Sequence, residues 1–213
     1  MDSTALHDLF RSDVRDVETP YLWSDIEVYA YLDDAQKMFC RMQGGISDAT
    51  SALTQVAVVA DQPFSTISSR ILKIRELISR TQHRRIELAN VEGVDTSRDI
   101  PAGPLRQAIV GMEANKIRWV PVPVASETVE LLIYRLPLVD ITTSGQAIEV
   151  DEQHHRHLLL WAKHLAHMKQ DAETYDKGRS DMFKADFQLY CDQAKAERER
   201  REHKYRTVAY GGY

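Results

Sequence analysis

The chain has 213 residues, of which 43% are hydrophobic and 28% charged, and its formal net charge is −5. These values favour one domain, or one domain with an insertion, with enough apolar side chains for a hydrophobic core. The negative charge disfavours general binding to nucleic acid or to an anionic membrane. The polar N-terminal residues and the lack of a long apolar run predict a soluble protein of a reducing cytoplasm, in which Cys40 and Cys191 are buried thiols.

Two helices are predicted before residue 54. Ser3 or Thr4 caps a short first helix, which ends by Thr19-Pro20 because the residue before a proline is pushed out of the helical region. The second helix, Trp23 to Met42, begins with a capping box formed by Ser24 and Glu27. Its apolar positions recur at spacings of three and four: Val28, Leu32, Ala35, Phe39 and Met42. Gly44-Gly45 ends this helix, and one or two further helical turns are predicted from Ile46 to Leu53.

The middle of the chain is predicted to be mainly β. β-branched residues begin at Val56, and short apolar runs separated by turn residues follow. The predicted strands are Ile71 to Ile78, Ile86 to Leu88, Ala108 to Met112, Lys116 to Val120 and Thr128 to Leu136. Gly93 to Gly103 is predicted to be a loop, and Pro121 and Pro123 confine their segment to an edge or an extended link.

Helical periodicity returns after Asp151. One helix is predicted from His154 to Met168 and a second from about Thr174 to about His203. The second has one predicted apolar side, made of Tyr175, Met182, Phe183, Phe187, Tyr190, Cys191 and Ala194. From Thr207 onward the residues prefer extended geometry and include Gly211-Gly212, so that this segment is predicted to be an arm that is disordered when unbound.

The fold class expected from these elements is α+β, mainly α. A helical bundle is built from the N- and C-terminal helices and carries an inserted small β region. The predicted divisions are 1–53 (N-terminal helices of the bundle), 54–150 (inserted, mainly β), 151–205 (C-terminal helices) and 206–213 (extended C-terminal arm). The stripe of the second helix is expected to pack on Leu158, Trp161, Leu165 and the Met182–Phe187 face.

Few residues indicate chemistry. The densest group of possible ligands is on the predicted third helix, where His164 and His167 are three residues apart and Asp171 follows one turn later. Packed or surface histidines explain this group better than a metal site. No catalytic, cofactor-binding or metal-binding residue is therefore predicted, and we expect the chain not to be an enzyme.

Four segments follow one another along the chain in a characteristic order. The first is the helix that follows Trp23-Ser24-Asp25 and contains Asp34-Ala35-Gln36. The second is the strand that ends in Tyr134-Arg135-Leu136-Pro137. The helix pair from His154 onward and a terminal arm of the TVAYGG type complete the series. In this succession of elements the chain resembles the head–tail adaptor proteins (head-completion or connector proteins) of tailed bacteriophages, and the resemblance is weakest from Thr54 to Val124.

The resemblance implies a structural virion protein, present in the host cytoplasm during assembly. Copies would form a ring, a dodecamer, beneath the portal protein, extend the DNA channel and offer a platform to the next tail component. Double-stranded DNA would pass through the lumen without sequence-specific binding, which a modest negative charge suits. The arm would dock on the portal through Arg206, Thr207, Val208, Ala209, Tyr210, Gly211, Gly212 and Tyr213.

Two other classes of protein remain open from the residues alone. A helical nucleic-acid-binding or regulatory protein would use the basic run from Arg198 to Arg206, although glutamates interrupt this run and the total charge is acidic. A hydrolase with a dispersed active site is the other, because catalytic triads are recognised by geometry rather than by sequence order.

Overall fold

The computed structural model describes residues 1–89, 101–171 and 173–202. The chain divides into two compact units, which we call the helical unit (Met1–Gln43 with Val139–Tyr213) and the β unit (Gly44–Leu138). The chain passes from the helical unit to the β unit after residue 43 and returns after residue 138, whereas the sequence predicted these borders after residues 53 and 150. The segment after Val139 belongs to the helical unit because a hydrogen bond joins this segment to the N-terminal part of the unit: Asp33 accepts from the Ile141 N–H at 2.9 Å.

The helical unit contains four α-helices among its described residues. They are α1 (Ser3–Val14), α2 (Asp25–Gln43), α3 (His155–Met168) and α4 (Lys177–Glu202). Asp2, rather than Ser3 or Thr4, caps α1 by accepting from the Ala5 N–H. No helix in the described ranges combines the length and the apolar character that crossing a membrane requires.

The capping box predicted at the start of α2 is confirmed. Glu27 accepts a hydrogen bond from the Ser24 N–H at 2.8 Å, and the Ser24 hydroxyl accepts one from the Glu27 N–H at 3.3 Å. These reciprocal bonds satisfy donors that the first helical turn leaves without partners, so α2 begins where the sequence predicts.

The apolar stripe predicted for α2 is confirmed as buried from Val28 to Phe39, whereas Met42 is half-buried. Val28, Leu32, Ala35 and Phe39 are buried, and the Phe39 ring lies 4.8 Å from that of His154 and 6.3 Å from that of Tyr190, centroid to centroid. This stripe therefore contacts residues at the start of α3 and in the middle of α4.

The buried face predicted for α4 is wrong at its first turns. Ser180, Phe187, Cys191 and Ala194 face inward, whereas the Met182 side chain is 51% exposed. Met182 precedes Phe187 by five residues, which is about 140° around a helix from the buried line. Met182 thus faces away from the core.

The β unit is a curled, mixed sheet. Eight strands form it within the described residues: β1 (Ile46–Asp48), β2 (Gln55–Val58), β3 (Phe64–Thr66), β4 (Ile71–Ser79), β5 (Arg84–Ala89), β6 (Gln107–Val110), β7 (Lys116–Val120) and β8 (Glu127–Arg135). The order is β1-β8-β4-β5-β6-β7-β3, and β2 also pairs with β8. All of these pairs are antiparallel except β5 with β6.

Side chains on the inner face of this sheet form one hydrophobic core. Its largest members include Leu77, Ile117 and Trp119. The Ser65 hydroxyl of β3 donates to the Ala57 carbonyl of β2 at 2.7 Å and accepts from the Trp119 indole N–H at 2.9 Å. This bonding brings β2 and β3 together, so the two ends of the curled sheet meet around the core.

The predicted fold class is wrong. The chain is not a mainly α bundle with a small inserted β region, because the eight-stranded curled sheet makes up a whole compact unit. The further helical turns predicted from Ile46 to Leu53 are replaced by β1 and a 3₁₀ turn at Ala52–Thr54. β1 pairs with β8, which lies more than eighty residues away along the chain. The three residues of β1 are too few to show the alternation of apolar and polar side chains that predicts a strand.

Phe39 supplies the first test of the helical unit. Phe39→Ala removes a ring that is 1% exposed and leaves a cavity, so the free energy of unfolding should fall by about 3–5 kcal/mol. The matched control is Ile26→Ala on the same helix, where the side chain is 79% exposed and the change should be within about 0.5 kcal/mol. Urea denaturation followed by circular dichroism measures both, and equal stabilities for the two variants would show that Phe39 is not a core residue.

The buried ion pair of Asp48 and Arg135 supplies a test of the β unit. Burial raises the pKa of Asp48, but hydrogen bonds from Ser51, Thr50 and Arg135 outweigh it, and the pKa lies well below its ordinary value. Asp48→Asn leaves the Arg135 charge buried without its partner, so we expect a loss of about 3–5 kcal/mol of unfolding free energy at pH 7.

The pH dependence of that loss has a definite sign. A lowered folded-state pKa stabilises the protein above the unfolded-state value of about 4, and the stabilisation disappears as the pH falls through the folded-state pKa. The difference between wild type and Asp48→Asn should therefore shrink below pH 4. Asp61→Asn is the control, because Asp61 is exposed and its left-handed backbone conformation also suits asparagine. A constant difference down to pH 2 would contradict the assignment.

Candidate docking surface

The histidines of α3 have structural partners. His164 Nδ1 hydrogen-bonds with the Ser180 hydroxyl at 2.7 Å, and His155 Nε2 with the Val150 carbonyl at 2.6 Å. His157 stacks on the Tyr190 ring with centroids 3.5 Å apart. Across the described parts of the chain, no group of three or more His, Cys, Asp or Glu side chains is arranged to hold a metal ion. These histidines pack α3 against its neighbours.

Both thiols are buried in the helical unit. Burial, with a smaller contribution from the Asp192 charge, raises the pKa of Cys191 to about 12. A thiol that stays protonated at neutral pH is a poor nucleophile and a poor metal ligand. Cys191 therefore acts as a small core residue.

Contacts among the helices define two opposite ends of the helical unit. At one end, which we call the Trp23 end, the Trp23 indole N–H donates to the Ala166 carbonyl at 3.0 Å, and Lys169 pairs with Glu27 at 2.8 Å. At the other, the Gln43 end, Arg198 donates to the Gln43 carbonyl at 3.1 Å. α4 runs from the Trp23 end to the Gln43 end, and its 26 residues span about 39 Å.

Large apolar side chains are exposed at the Trp23 end. The Trp23-end patch is defined as Val17, Tyr21, Leu22 and Ile26, all of which are exposed, and Ile26 is 79% exposed. Singly exposed apolar residues are normal on a protein surface, whereas four of them within ten residues make this segment a candidate interaction site. Sequence reasoning missed this patch, although Ile26 was visible as an isoleucine outside the apolar stripe of α2.

A buried polar network fixes the segment that carries this patch. Arg11 is 5% exposed; it donates to Asp16 at 2.6 Å and to the Trp23 carbonyl at 2.9 Å. Asp16 in turn accepts from the Leu22 N–H at 2.9 Å, and the Arg11 guanidinium lies 3.8 Å from the centre of the Tyr21 ring. These bonds tie both ends of the segment between α1 and α2 to one buried ion pair, so the patch is held in one shape.

The outward face of α4 is a second exposed apolar surface. The α4 ridge is defined as Met182, Ala185, Leu189 and Ala196, which are exposed and follow one another at helical spacing; Leu189 is 59% exposed. Their positions lie opposite the buried line through Phe187, Cys191 and Ala194. α4 thus has apolar residues on two sides, and among the described residues one side is buried and the other is exposed.

The charges of the helical unit are unevenly distributed along its sequence. Residues 13–27 contain five acidic residues and one basic residue, but Asp13, Asp16 and Glu27 are paired with Lys163, Arg11 and Lys169. The last described turns of α4, residues 195–202, contain four basic and three acidic residues. Arg200 and Arg201 are exposed in the last described turns of α4. Residues 44–138 hold ten acidic and eleven basic residues, so the net negative charge of the protein belongs to the helical unit.

The predicted portal-docking residues, 206 to 213, lie outside the described residues. The structure therefore leaves their role a prediction. What it adds is a pair of exposed apolar surfaces, the Trp23-end patch and the α4 ridge, that the sequence did not single out. The ridge could have been found from the second line of apolar residues at helical spacing in α4.

The histidines of α3 generate a prediction about pH. Burial lowers the pKa of His154, His157 and His164, with a further lowering of that of His157 by Arg156. The unfolded chain, whose histidines titrate near pH 6.5, therefore binds more protons below that pH than the folded chain does. The free energy of unfolding should fall as the pH drops from 7 toward 5.

His157→Phe should reduce this loss, because phenylalanine can still stack on Tyr190 but cannot take up a proton. Urea denaturation at pH 7.5, 6 and 5 measures the effect, and His83→Asn, at an exposed turn of the β unit whose left-handed backbone suits asparagine, is the control. A free energy of unfolding that does not change between pH 7.5 and pH 5 would contradict the prediction that burial lowers the pKa of these histidines.

Comparison with known proteins identifies the family of this chain. No curated protein matches the sequence significantly. The family model described as SU10 adaptor protein matches residues 1–210, which is nearly the whole chain. Membership of that family implies a structural component of the phage virion rather than an enzyme. The chain belongs to the SU10 adaptor protein family and is a phage structural adaptor protein.

Proposed function

We propose that this adaptor joins the phage head to the tail. Copies form a dodecameric ring beneath the portal protein, extend the DNA channel and offer a platform to the next tail component. The observation that carries the proposal is the family match from residue 1 to residue 210, because it includes both compact units and the first residues of the arm. An adaptor must bind at least two neighbours, and the exposed apolar surfaces of the helical unit supply area for such contacts.

The arm, residues 206–213, is the proposed portal-docking element. Val208, Tyr210 and Tyr213 are apolar or aromatic anchors of the kind that an extended peptide inserts into pockets of its partner. Gly211-Gly212 has no side chains, which permits close approach of the two backbones. The six basic residues between 195 and 206 would add attraction for an acidic rim on the portal.

Double-stranded DNA is the remaining proposed partner, and it passes through the lumen without sequence-specific binding. Cationic side chains that neutralise phosphates produce strong attraction, which would hold the DNA in place. The acidic excess of the helical unit and the near balance of the β unit both favour weak contact. The alternative of a nucleic-acid-binding regulator has less support, because Arg198 is bonded to Gln43 and Glu197 and Glu199 are exposed beside the other arginines.

Deletion of Thr207 to Tyr213 tests the proposed role of the arm. The truncated protein should keep the wild-type melting temperature and lose attachment to portal-bearing capsids that lack the adaptor. Co-sedimentation with such capsids measures attachment, and scanning calorimetry measures the melting temperature.

Two point variants sharpen this test. Tyr210→Ala removes an anchor and should weaken attachment at least about tenfold, as expected for an aromatic residue at the centre of an interface. Thr207→Ala, in the same segment, should change attachment by less than about threefold. Undiminished attachment of the truncated protein would show that the arm is not the docking element.

A further inference from the structure

The α4 ridge is acidic as well as apolar. Asp181, Asp186 and Asp192 are exposed, and each lies within about 70° of the centre of the ridge around the helix. The one basic residue between positions 181 and 192, Lys184, is half-buried and lies about 130° from that centre, on the flank nearer the core. The ridge from Met182 to Leu189 therefore presents apolar side chains between carboxylates.

The β unit has an uncovered surface of another kind, on the outward side of β4. The register of β4 with β8 shifts twice between Ile71 and Glu76, as happens where a β-bulge inserts an extra residue and redirects a side chain. Leu72 and Lys73 are both exposed although they are neighbours, and Arg75 is exposed as well. The alternation of a regular strand would turn one of the two neighbours inward. The bulges thus place three exposed side chains within four residues.

The exposed side chains of β4 form what we call the β4 face: Leu72, Lys73, Arg75 and Ile78. Leu72 is 39% and Ile78 40% exposed. Among the described residues, Lys73 and Arg75 have no acidic partner, and the Arg75 guanidinium lies 5.1 Å from the centre of the Tyr134 ring. The β4 face therefore combines large apolar side chains with cations that no carboxylate of the described chain neutralises.

Basic residues are also in excess around the β4 face. Residues 70–85 contain six basic residues and one acidic residue. The strands on either side of β4 add three carboxylates, those of Glu87, Glu127 and Glu130, so six basic residues stand against four acidic ones. This side of the β unit is therefore positively charged.

The ridge and the β4 face each suit the other better than they suit themselves. Two ridges in contact would oppose carboxylates and two β4 faces would oppose cations, and like charges across a contact cost free energy. Ridge against β4 face brings opposite charges together around apolar side chains. The excess of carboxylates is clearest from Met182 to Leu189, since Arg200 partly offsets Glu199 beyond Ala196. A contact between two different surfaces joins copies head to tail, the arrangement that can close into a ring.

We propose that the β4 face of one copy packs on the α4 ridge, from Met182 to Leu189, of the next copy. The occupant of each surface is thus a second copy of this chain. The inference rests on the proposed ring and adds the contact that builds it. It does not involve the arm, so the contact and the portal docking can fail independently.

Directed cross-linking between copies tests the contact. Two full-length variants, Ile78→Cys and Leu189→Cys, are purified separately, mixed in equal amounts and treated with a short bismaleimide. The native thiols are buried, so the introduced cysteines are the sites that react. The reaction is run at high protein concentration and again with portal-bearing capsids. In at least one condition the mixed 78–189 product should form at least about ten times faster than the 78–78 or 189–189 products.

Ile26→Cys replaces Leu189→Cys in the matched control, because Ile26 is an apolar residue of the helical unit that is 79% exposed and lies outside the ridge. Equal rates for the 26–78 and 78–189 products would overturn the proposal. A cross-link from position 78 or 189 to the portal protein in place of the 78–189 product would overturn it as well, and so would the lack of any product in both conditions.

Charge reversal gives a second, independent measurement. Lys73→Glu with Arg75→Glu, in the chain labelled at position 78, should slow formation of the 78–189 product by about fivefold, the range for exposed ion pairs. Asp186→Lys with Asp192→Lys, in the chain labelled at position 189, should slow it similarly. Mixing the two reversed chains restores opposite charges and should recover most of the rate. A mixture slower than either single reversal would show that the two charged surfaces do not meet. Circular dichroism verifies that the reversed chains are folded.

The outcome separates this contact from the proposed function. If the chain without residues 207–213 gives the 78–189 product but no longer binds capsids, the contact and the docking role of the arm both stand. If the full chain gives the product but does not bind portal-bearing capsids, the contact stands and the head-to-tail role fails. If the full chain binds such capsids as a ring, seen by electron microscopy, without the 78–189 product, the contact alone is overturned.

Discussion

The buried ion pair between Arg11 and Asp16 is the interaction on which the Trp23 end depends. Arg11 lies in α1, and Asp16 directly follows Arg15, which has a left-handed backbone conformation. Arg11 also bonds to Trp23 and Asp25, and Asp16 bonds to Leu22. An uncompensated charge in the interior costs several kcal/mol, so each member of the pair enforces the position of the other. The exposed residues Val17, Tyr21 and Leu22 lie inside the segment that this pair closes. These three side chains are therefore held in exposed positions by an ion pair of which none of them is a member.

The proposed function combines two kinds of binding element. The patch, which a buried ion pair holds in shape, and the ridge, which lies on α4, both have a geometry that is set before association. A short extended arm can instead adapt to a partner at the cost of becoming ordered. An adaptor between two different assemblies has a use for both. The family match shows the structural class, and the ring, the portal contact and the tail platform remain proposals.

Prediction from sequence worked best where the signal was local. The capping box of α2, the helix His155–Met168 and the strands β4, β7 and β8 were found because caps, periodicity and β-branched runs act within a few residues. β1 and β3 were missed, since three residues carry no periodicity and their pairing with β8 and β7 is long-range. Missing them made the β region look small, and that error produced the wrong fold class.

The sequence by itself determined the helices, most of the strands and the succession of elements that resembles head–tail adaptors, because each depends on neighbouring residues. Tertiary structure decided which of the apolar residues stay exposed. Met182 and Phe187 are equally apolar by sequence, and only the packing of α3 on α4 buries one and exposes the other. The same holds for Arg11, whose burial follows from a partner on another segment. Surfaces for partners are what a chain leaves uncovered after folding, so they are properties of the packed structure rather than of any local pattern.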